Sequence, residues 1–169
     1  LPLLAVAESA AGVLNAQAIA EAGPTDALVF GAEDLAADVG SDPGEPGGVT
    51  TYAREHVLLA ARAGGVDAID THYPEYDDYE GLGEAARRAA VLGFDGKLAI
   101  HPRQVEVIHE AFVPPQARVD WAERVLETYE AADSGVCVVD GEMIDAPQVR
   151  QAERIVERAD GADREFGGG

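Results

Sequence analysis

Lysine is almost absent from this chain. Lys97 stands alone among 169 residues, against eleven arginines and 32 acidic residues, so the formal charge at pH 7 is −20. A surface of that sign repels phosphate backbones and anionic lipid, which argues against nucleic-acid and membrane-surface roles. Cysteine is as scarce: Cys137 alone cannot close an internal disulfide, and no Cys/His cluster has zinc spacing. No apolar run approaches the ~20 residues that span a bilayer. The start lacks both a methionine and the basic leader of a signal peptide, and Leu1-Pro2-Leu3 opens inside an apolar run. It reads as a cut through a longer, cytoplasmic protein, and Gly167-Gly168-Gly169 reads as a frayed end.

What is present suffices for a core: 47% of residues are apolar. The acids are spread along the chain, which fits a halophilic surface whose self-repulsion salt screens; a single acidic face for a basic partner is the alternative. Four short apolar runs, at residues 3–7, 27–30, 68–69 and 98–100, suit strands buried in a parallel sheet. Helical patterns at 10–21, 52–63 and 83–92 separate them, with Gly23-Pro24, Gly64-Gly65 and Gly93 as stops. Residues 38–48, rich in Gly, Pro and acids, are expected to form a long loop. Beyond His101-Pro102 the pattern changes to helices at 103–112, 118–131 and 148–159. A hairpin over 135–143 turns at Asp140-Gly141. The expected division is 1–112 and 113–169.

Each apolar run ends in polar residues: Glu8; Gly31-Ala32-Glu33-Asp34; Asp70-Thr71-His72-Tyr73; His101-Pro102. In parallel α/β folds the carboxyl ends of strands gather where sites form. Glu8 and Asp34 end successive strands, and two carboxylates without a Cys or His partner suit a hard cation such as Mg²⁺. The plainer reading of Glu8 is a helix N-cap, a job Ser9 is also placed to do; Asp34 has a capping role as its own plain reading. Glu33 competes with Asp34 as ligand, and spacing does not separate them. Asp145 before Ala146-Pro147 has the look of an N-cap, and Cys137, Trp121 and Tyr129 that of packing residues.

These segments resemble the citrate lyase beta subunit-like (HpcH/HpaI aldolase) family. Glu8-Ser9-Ala10-Ala11-Gly12 is similar to its E-T/S-x-x-G segment, and Gly31-Ala32-Glu33-Asp34-Leu35 to its G-x-x-D-L segment. Asp67-Ala68-Ile69-Asp70, Gly93-Phe94-Asp95-Gly96-Lys97 and Ile100-His101-Pro102-Arg103-Gln104 follow in order. Gly141-Glu142-Met143-Ile144-Asp145-Ala146-Pro147 resembles the G-x-M-I-D-x-P segment of malyl-CoA and citramalyl-CoA lyases.

The resemblance implies a (β/α)₈ TIM barrel of the phosphoenolpyruvate/pyruvate-like type, here its C-terminal half (1–112) with a helical and hairpin lid (113–169). It implies Mg²⁺ held by Glu8 and Asp34, and a substrate pocket of Glu8, Ala32, Glu33 and Asp34. Asp145 would be an acid/base donated in trans within a trimer or hexamer. The implied reaction cleaves malyl-, methylmalyl- or citramalyl-CoA to an acyl-CoA and glyoxylate or pyruvate. A citrate lyase beta subunit, a malyl-CoA thioester hydrolase and a non-catalytic binding module are the alternatives. A complete barrel needs about 250 residues, and the family's N-terminal half, with its basic residues, has no counterpart here; Arg54, Arg62, Arg87 and Arg88 fall in helices.

The charge pattern makes one direct prediction. The thermal midpoint is expected to rise as KCl goes from about 0.1 M to about 2 M, because self-repulsion is screened within a few ångströms. A flat or falling midpoint would favour the acidic face awaiting a basic partner.

Overall fold

A computed structural model of the chain describes residues 1–42, 48–132 and 135–166. The three-glycine end lies outside the described residues, as do residues 43–47 of the expected loop. The chain forms two compact units, Leu1–Ala111 and Phe112–Gly169.

The first unit is built on β1 (Leu4–Ala7), β2 (Ala27–Phe30), β3 (Asp67–Asp70) and β4 (Gly96–Lys97), all parallel and ordered β1-β2-β3-β4. Parallel neighbours need long crossovers, and helices supply them. α1 (Ala10–Leu14) and α2 (Ala16–Ala20) follow β1, α3 (Ala32–Val39) and α4 (Val49–Gly64) follow β2, and α5 (Tyr79–Leu92) follows β3. α6 (Gln104–Phe112) comes after β4. Right-handed crossovers that all step the same way place their helices on one face of the sheet. Ala7, Leu28, Phe30, Ala68 and Asp70 share the face that meets α4, and all are buried. On the opposite face of β1, Leu4 and Val6 remain about half exposed, at 50% and 48%.

Glycine ends the helices where expected: Gly65 (φ 71°) after α4 and Gly93 (φ 111°) after α5 adopt the left-handed conformation that closes a helix. At the amino-terminal edge of the sheet, Asp95 accepts from Arg62 (2.8 Å) and from the Ala68 amide (2.9 Å), and Arg62 also donates to the Gly93 carbonyl. One arginine thus ties α4 to the end of α5.

Three expectations need correction. The 10–21 helix is broken at Asn15, whose backbone and side-chain N–H groups both donate to the Ala11 carbonyl (3.1 and 2.7 Å), a side chain competing with the helical ladder. The strand expected at 98–100 does not form. The ladder stops after the Leu98 amide donates to the Asp70 carbonyl (3.0 Å), and buried Gln104 then draws the Ile100 amide to its Oε1 (2.9 Å), turning the chain into α6. The loop expected from residue 38 starts later, because α3 runs on to Val39 and closes at Gly40.

The second unit contains α7 (Gln116–Glu130), the hairpin β5 (Cys137–Val139) and β6 (Glu142–Ile144), and α8 (Ala146–Phe166). Positive φ at both Asp140 (52°) and Gly141 (84°) is the primed turn that matches strand twist. Its core is Ala122, Val125, Val139, Ile144 and Ala152, with Trp121, Tyr129 and Cys137 packed against it. No helix among the described residues is long and apolar enough to cross a membrane.

Close packing of α2 on α4 depends on Gly64, where an added Cβ would stand 2.5 Å from the Ala20 Cβ and 2.9 Å from its carbonyl carbon. Backbone cannot yield as a side chain does, so Gly64→Ala is expected to cost about 1–3 kcal/mol by pushing these helices apart. Urea unfolding measures it; a midpoint equal to wild type would show that the contact is loose.

Candidate active site

The sheet register defines a row at its carboxyl edge. Ala7 pairs with Phe30 and Val29 with Ile69, so Glu8, Gly31 and Thr71 continue one line across three strands. Alternation places them on the face opposite α4. Gly31 is bare by necessity: a Cβ there would lie 2.6 Å from the Glu8 Cβ and 3.3 Å from Glu8 Oε2. The Glu8 side chain therefore lies against the backbone that opens α3.

Ser9, not Glu8, caps α1, its Oγ accepting from the Gly12 amide (3.1 Å). On α3, Asp38 accepts from the Ala10 amide (2.8 Å), so this face of the helix fronts the β1–α1 junction just past Glu8. Asp34 lies four residues earlier on the same face, whereas Glu33 is turned about 100° away. Both are exposed, as is Glu8. Among the described residues, Glu8, Glu33 and Asp34 form no ion pair, and no three His, Cys, Asp or Glu side chains converge. The Ala32 amide donates to Thr71 Oγ1 (3.2 Å), which leaves the Glu33 and Asp34 amides as the first-turn donors able to face an anion.

Behind this row is a buried ionic cluster that the sequence reading missed. Asp70, 1% exposed, accepts from Arg54 through both oxygens (2.7 and 3.0 Å) and from Lys97 Nζ (2.8 Å). Lys97, its side chain 3% exposed, donates also to the Thr71 carbonyl (2.6 Å). Burial pushes the Lys97 ammonium below the usual lysine range, against the pull of Asp70. The available signal was the lone lysine, standing at a strand end in so acidic a chain. Arg54 gave no such signal, since its place in a helix hides its reach.

The loop after β3 has its own brace. Tyr73 donates to Asp78 Oδ2 (2.7 Å), and that bond, with some desolvation, pushes the Tyr73 phenol up to about 12. The Gly81 amide and the Tyr73 hydroxyl hold the Asp78 carboxyl below its ordinary range. His101 Nδ1 accepts from the Arg103 amide (3.2 Å), which leaves any ring proton on Nε2 in the neutral form.

Asp145 lies in the second unit, exposed, directly before α8. Its amide donates to Gln148 Oε1 (3.2 Å), half of a capping box. No hydrogen bond to its carboxylate occurs among the described residues.

Residues 1–102 match the family model described as HpcH/HpaI aldolase/citrate lyase. The chain belongs to this family. Among family relatives, the mitochondrial citramalyl-CoA lyase of Mus musculus is 37% identical over 166 residues, covering 91% of this chain and 49% of the relative. A citrate lyase subunit beta-like protein of Mycobacterium tuberculosis is 38% identical over 168 residues, covering 96% and 61%. The crystal structure of CitE from M. tuberculosis in complex with magnesium, acetoacetate and coenzyme A superimposes with a TM-score of 0.83 at 37% identity, covering 94% of this chain and 61% of that one. The chain thus spans about half the length of the curated relatives it matches.

Two measurements probe the buried cluster. Asp70→Asn would leave buried Lys97 and part-buried Arg54 without their counter-charge and is expected to cost about 3–5 kcal/mol, whereas Lys97→Met keeps the Arg54–Asp70 pair and should cost clearly less. Equal losses in chemical denaturation would contradict this ordering. Since Lys97 is the single lysine, a ¹³Cε-lysine label gives one signal, expected to titrate below the ~10.4 of free lysine. The unfolded chain then holds that proton more tightly than the folded one. This contribution to stability should rise with pH from the depressed value up to ~10.4.

Proposed function

We propose that the protein is part of a Mg²⁺-dependent carbon–carbon lyase, and that its first unit is one part of a (β/α)₈ barrel. The substrate class is a 3-hydroxyacyl-CoA thioester, malyl-, methylmalyl- or citramalyl-CoA, cleaved to an acyl-CoA and glyoxylate or pyruvate. Sequential strand order without a reversal supports the barrel, because an open doubly wound sheet switches direction. The half-exposed Leu4 and Val6 fit an inner face that further strands would cover.

The observation that carries the reading is the bare Gly31 between Glu8 and the start of α3, beside carboxylates that pair with no cation among the described residues. That donor set, all oxygen and open to solvent, fits Mg²⁺ completed by water and substrate oxygens. Glu8 and Asp34 would hold the ion, which when bound supplies Lewis-acid stabilisation of developing negative charge on oxygen. The amides of Glu33 and Asp34, at the positive end of α3, bind the carboxylate of the 2-oxo acid. The Ala32 position is set by Thr71. Cleavage leaves the electrons of the broken bond on the carbon next to the thioester. Asp145 from a neighbouring subunit exchanges a proton with that carbon, which makes the working form a homo-oligomer, a trimer or hexamer. Its place on a hairpin-to-helix junction, with a carboxylate not spent on the cap, suits that task.

A citrate lyase beta subunit acting on a citryl thioester is the second reading, favoured by the similarity to the M. tuberculosis beta-like protein. Release of 2-oxo acid from malyl-CoA and citramalyl-CoA by the protein from its complete gene, with and without Mg²⁺ in molar KCl, separates the two. The CoA lyase is expected to need Mg²⁺ and to lose about 10²–10⁴-fold in rate with Asp145→Asn. Glu8→Gln and Asp34→Asn should weaken Mg²⁺ uptake in calorimetry. Folded protein silent on both thioesters would sink the CoA-lyase reading.

A further inference from the structure

We propose that Lys97 is a positioning residue for the proposed metal and carboxylate site: from behind the sheet it fixes the backbone of Thr71, and Thr71 through its hydroxyl fixes the start of α3. The coupling stands on the geometry alone; its consequence for Mg²⁺ rests on the function proposed above.

Charge balance does not explain Lys97. Arg54 already engages both oxygens of Asp70 (2.7 and 3.0 Å) and neutralises it, so adding Lys97 leaves the buried cluster at net +1. Burying an ammonium is costly and requires hydrogen-bonded compensation. What Lys97 adds is its bond to the Thr71 carbonyl (2.6 Å). That carbonyl lies one residue past the point where the β3–β4 ladder ends, the last bond being from the Leu98 amide to the Asp70 carbonyl. A backbone acceptor beyond the ladder needs a donor, and the side chain of the adjacent strand supplies it.

The same residue then reaches across β2. Thr71 Oγ1 accepts the Ala32 amide (3.2 Å), a first-turn donor without a helical partner. A continuous path runs from Lys97 to Thr71 to Ala32, two residues before Asp34. At its far end Asp38 holds the Ala10 amide (2.8 Å) beside the Glu8 junction. The two carboxylates are therefore joined by α3, and the start of α3 is set by a lysine on the other face of the sheet.

Amide hydrogen exchange of the full chain, read by NMR at Ala32, tests the coupling. Lys97→Met and Thr71→Val are both expected to speed Ala32 exchange about tenfold or more while the β2 amides keep their protection, and Thr71→Ser should restore it. Folded Lys97→Met with wild-type exchange at Ala32 overturns the proposal. If Lys97→Met does not fold, Thr71→Val decides alone: coupling is reciprocal, so it must move the titration midpoint of the single ¹³Cε-lysine signal, and an unmoved midpoint overturns the proposal. Calorimetry with Mg²⁺ alone supplies the functional arm. Lys97→Met should bind about tenfold more weakly than wild type, and unchanged affinity alongside a loosened Ala32 would make Lys97 merely structural and overturn the positioning role. Wild-type protein that takes up no Mg²⁺ would sink the metal site of the proposed function, while the exchange rates still decide the coupling.

Discussion

A carboxylate placed between a sheet and a helix needs donors where it stands, and three elements of the first unit meet at Asp70. Arg54 comes from α4, Lys97 from β4, and the carboxylate itself from the end of β3. Three elements that hydrophobic contact alone would let slide are thereby held in one register. Arg54 also lies over the Phe94 ring at 5.3 Å, so the polar cluster is continuous with the apolar core around it. Breaking the pair by removing its negative member strands two cations, which is why such an arrangement is steeply sensitive to one side and tolerant on the other.

Above that cluster, the polar row at the carboxyl edge owes its shape to an omission. Strand alternation puts Glu8, Gly31 and Thr71 side by side, and the missing side chain in the middle lets the Glu8 carboxyl settle against the beginning of α3. Ser9 and Asp38 take over the capping of α1, so the acids best placed for a ligand are not consumed by the helix ends.

Strands and helices were legible wherever one periodicity dominated. The apolar run at 27–30, the glycine stops after α4 and α5 and the Asp140-Gly141 turn all read directly, because each is a local preference that tertiary packing reinforces. The failures are places where one side chain overrode the pattern. Asn15 turns its own amide on the helix ladder, and Gln104 captures the Ile100 amide and ends what looked like a strand. Glu8, Glu33 and Asp34 were visible as strand-end acids, but spacing did not separate Asp34 from Glu33; which face of α3 fronts the Glu8 junction depends on the long-range Asp38–Ala10 bond. The roles of Thr71, Arg54 and Lys97 depend on contacts between residues far apart in the chain, and no local spacing encodes those.

The isolation of Lys97 has a practical side. With every other basic side chain an arginine, no lysine amine stands on the surface, and the only one is sealed under the sheet at 3% exposure. Reagents that seek primary side-chain amines find nothing to attack until the sheet opens. The protein thus carries a built-in clock for its own breathing: the rate at which that amine is modified counts how often the core around Asp70 is exposed to solvent.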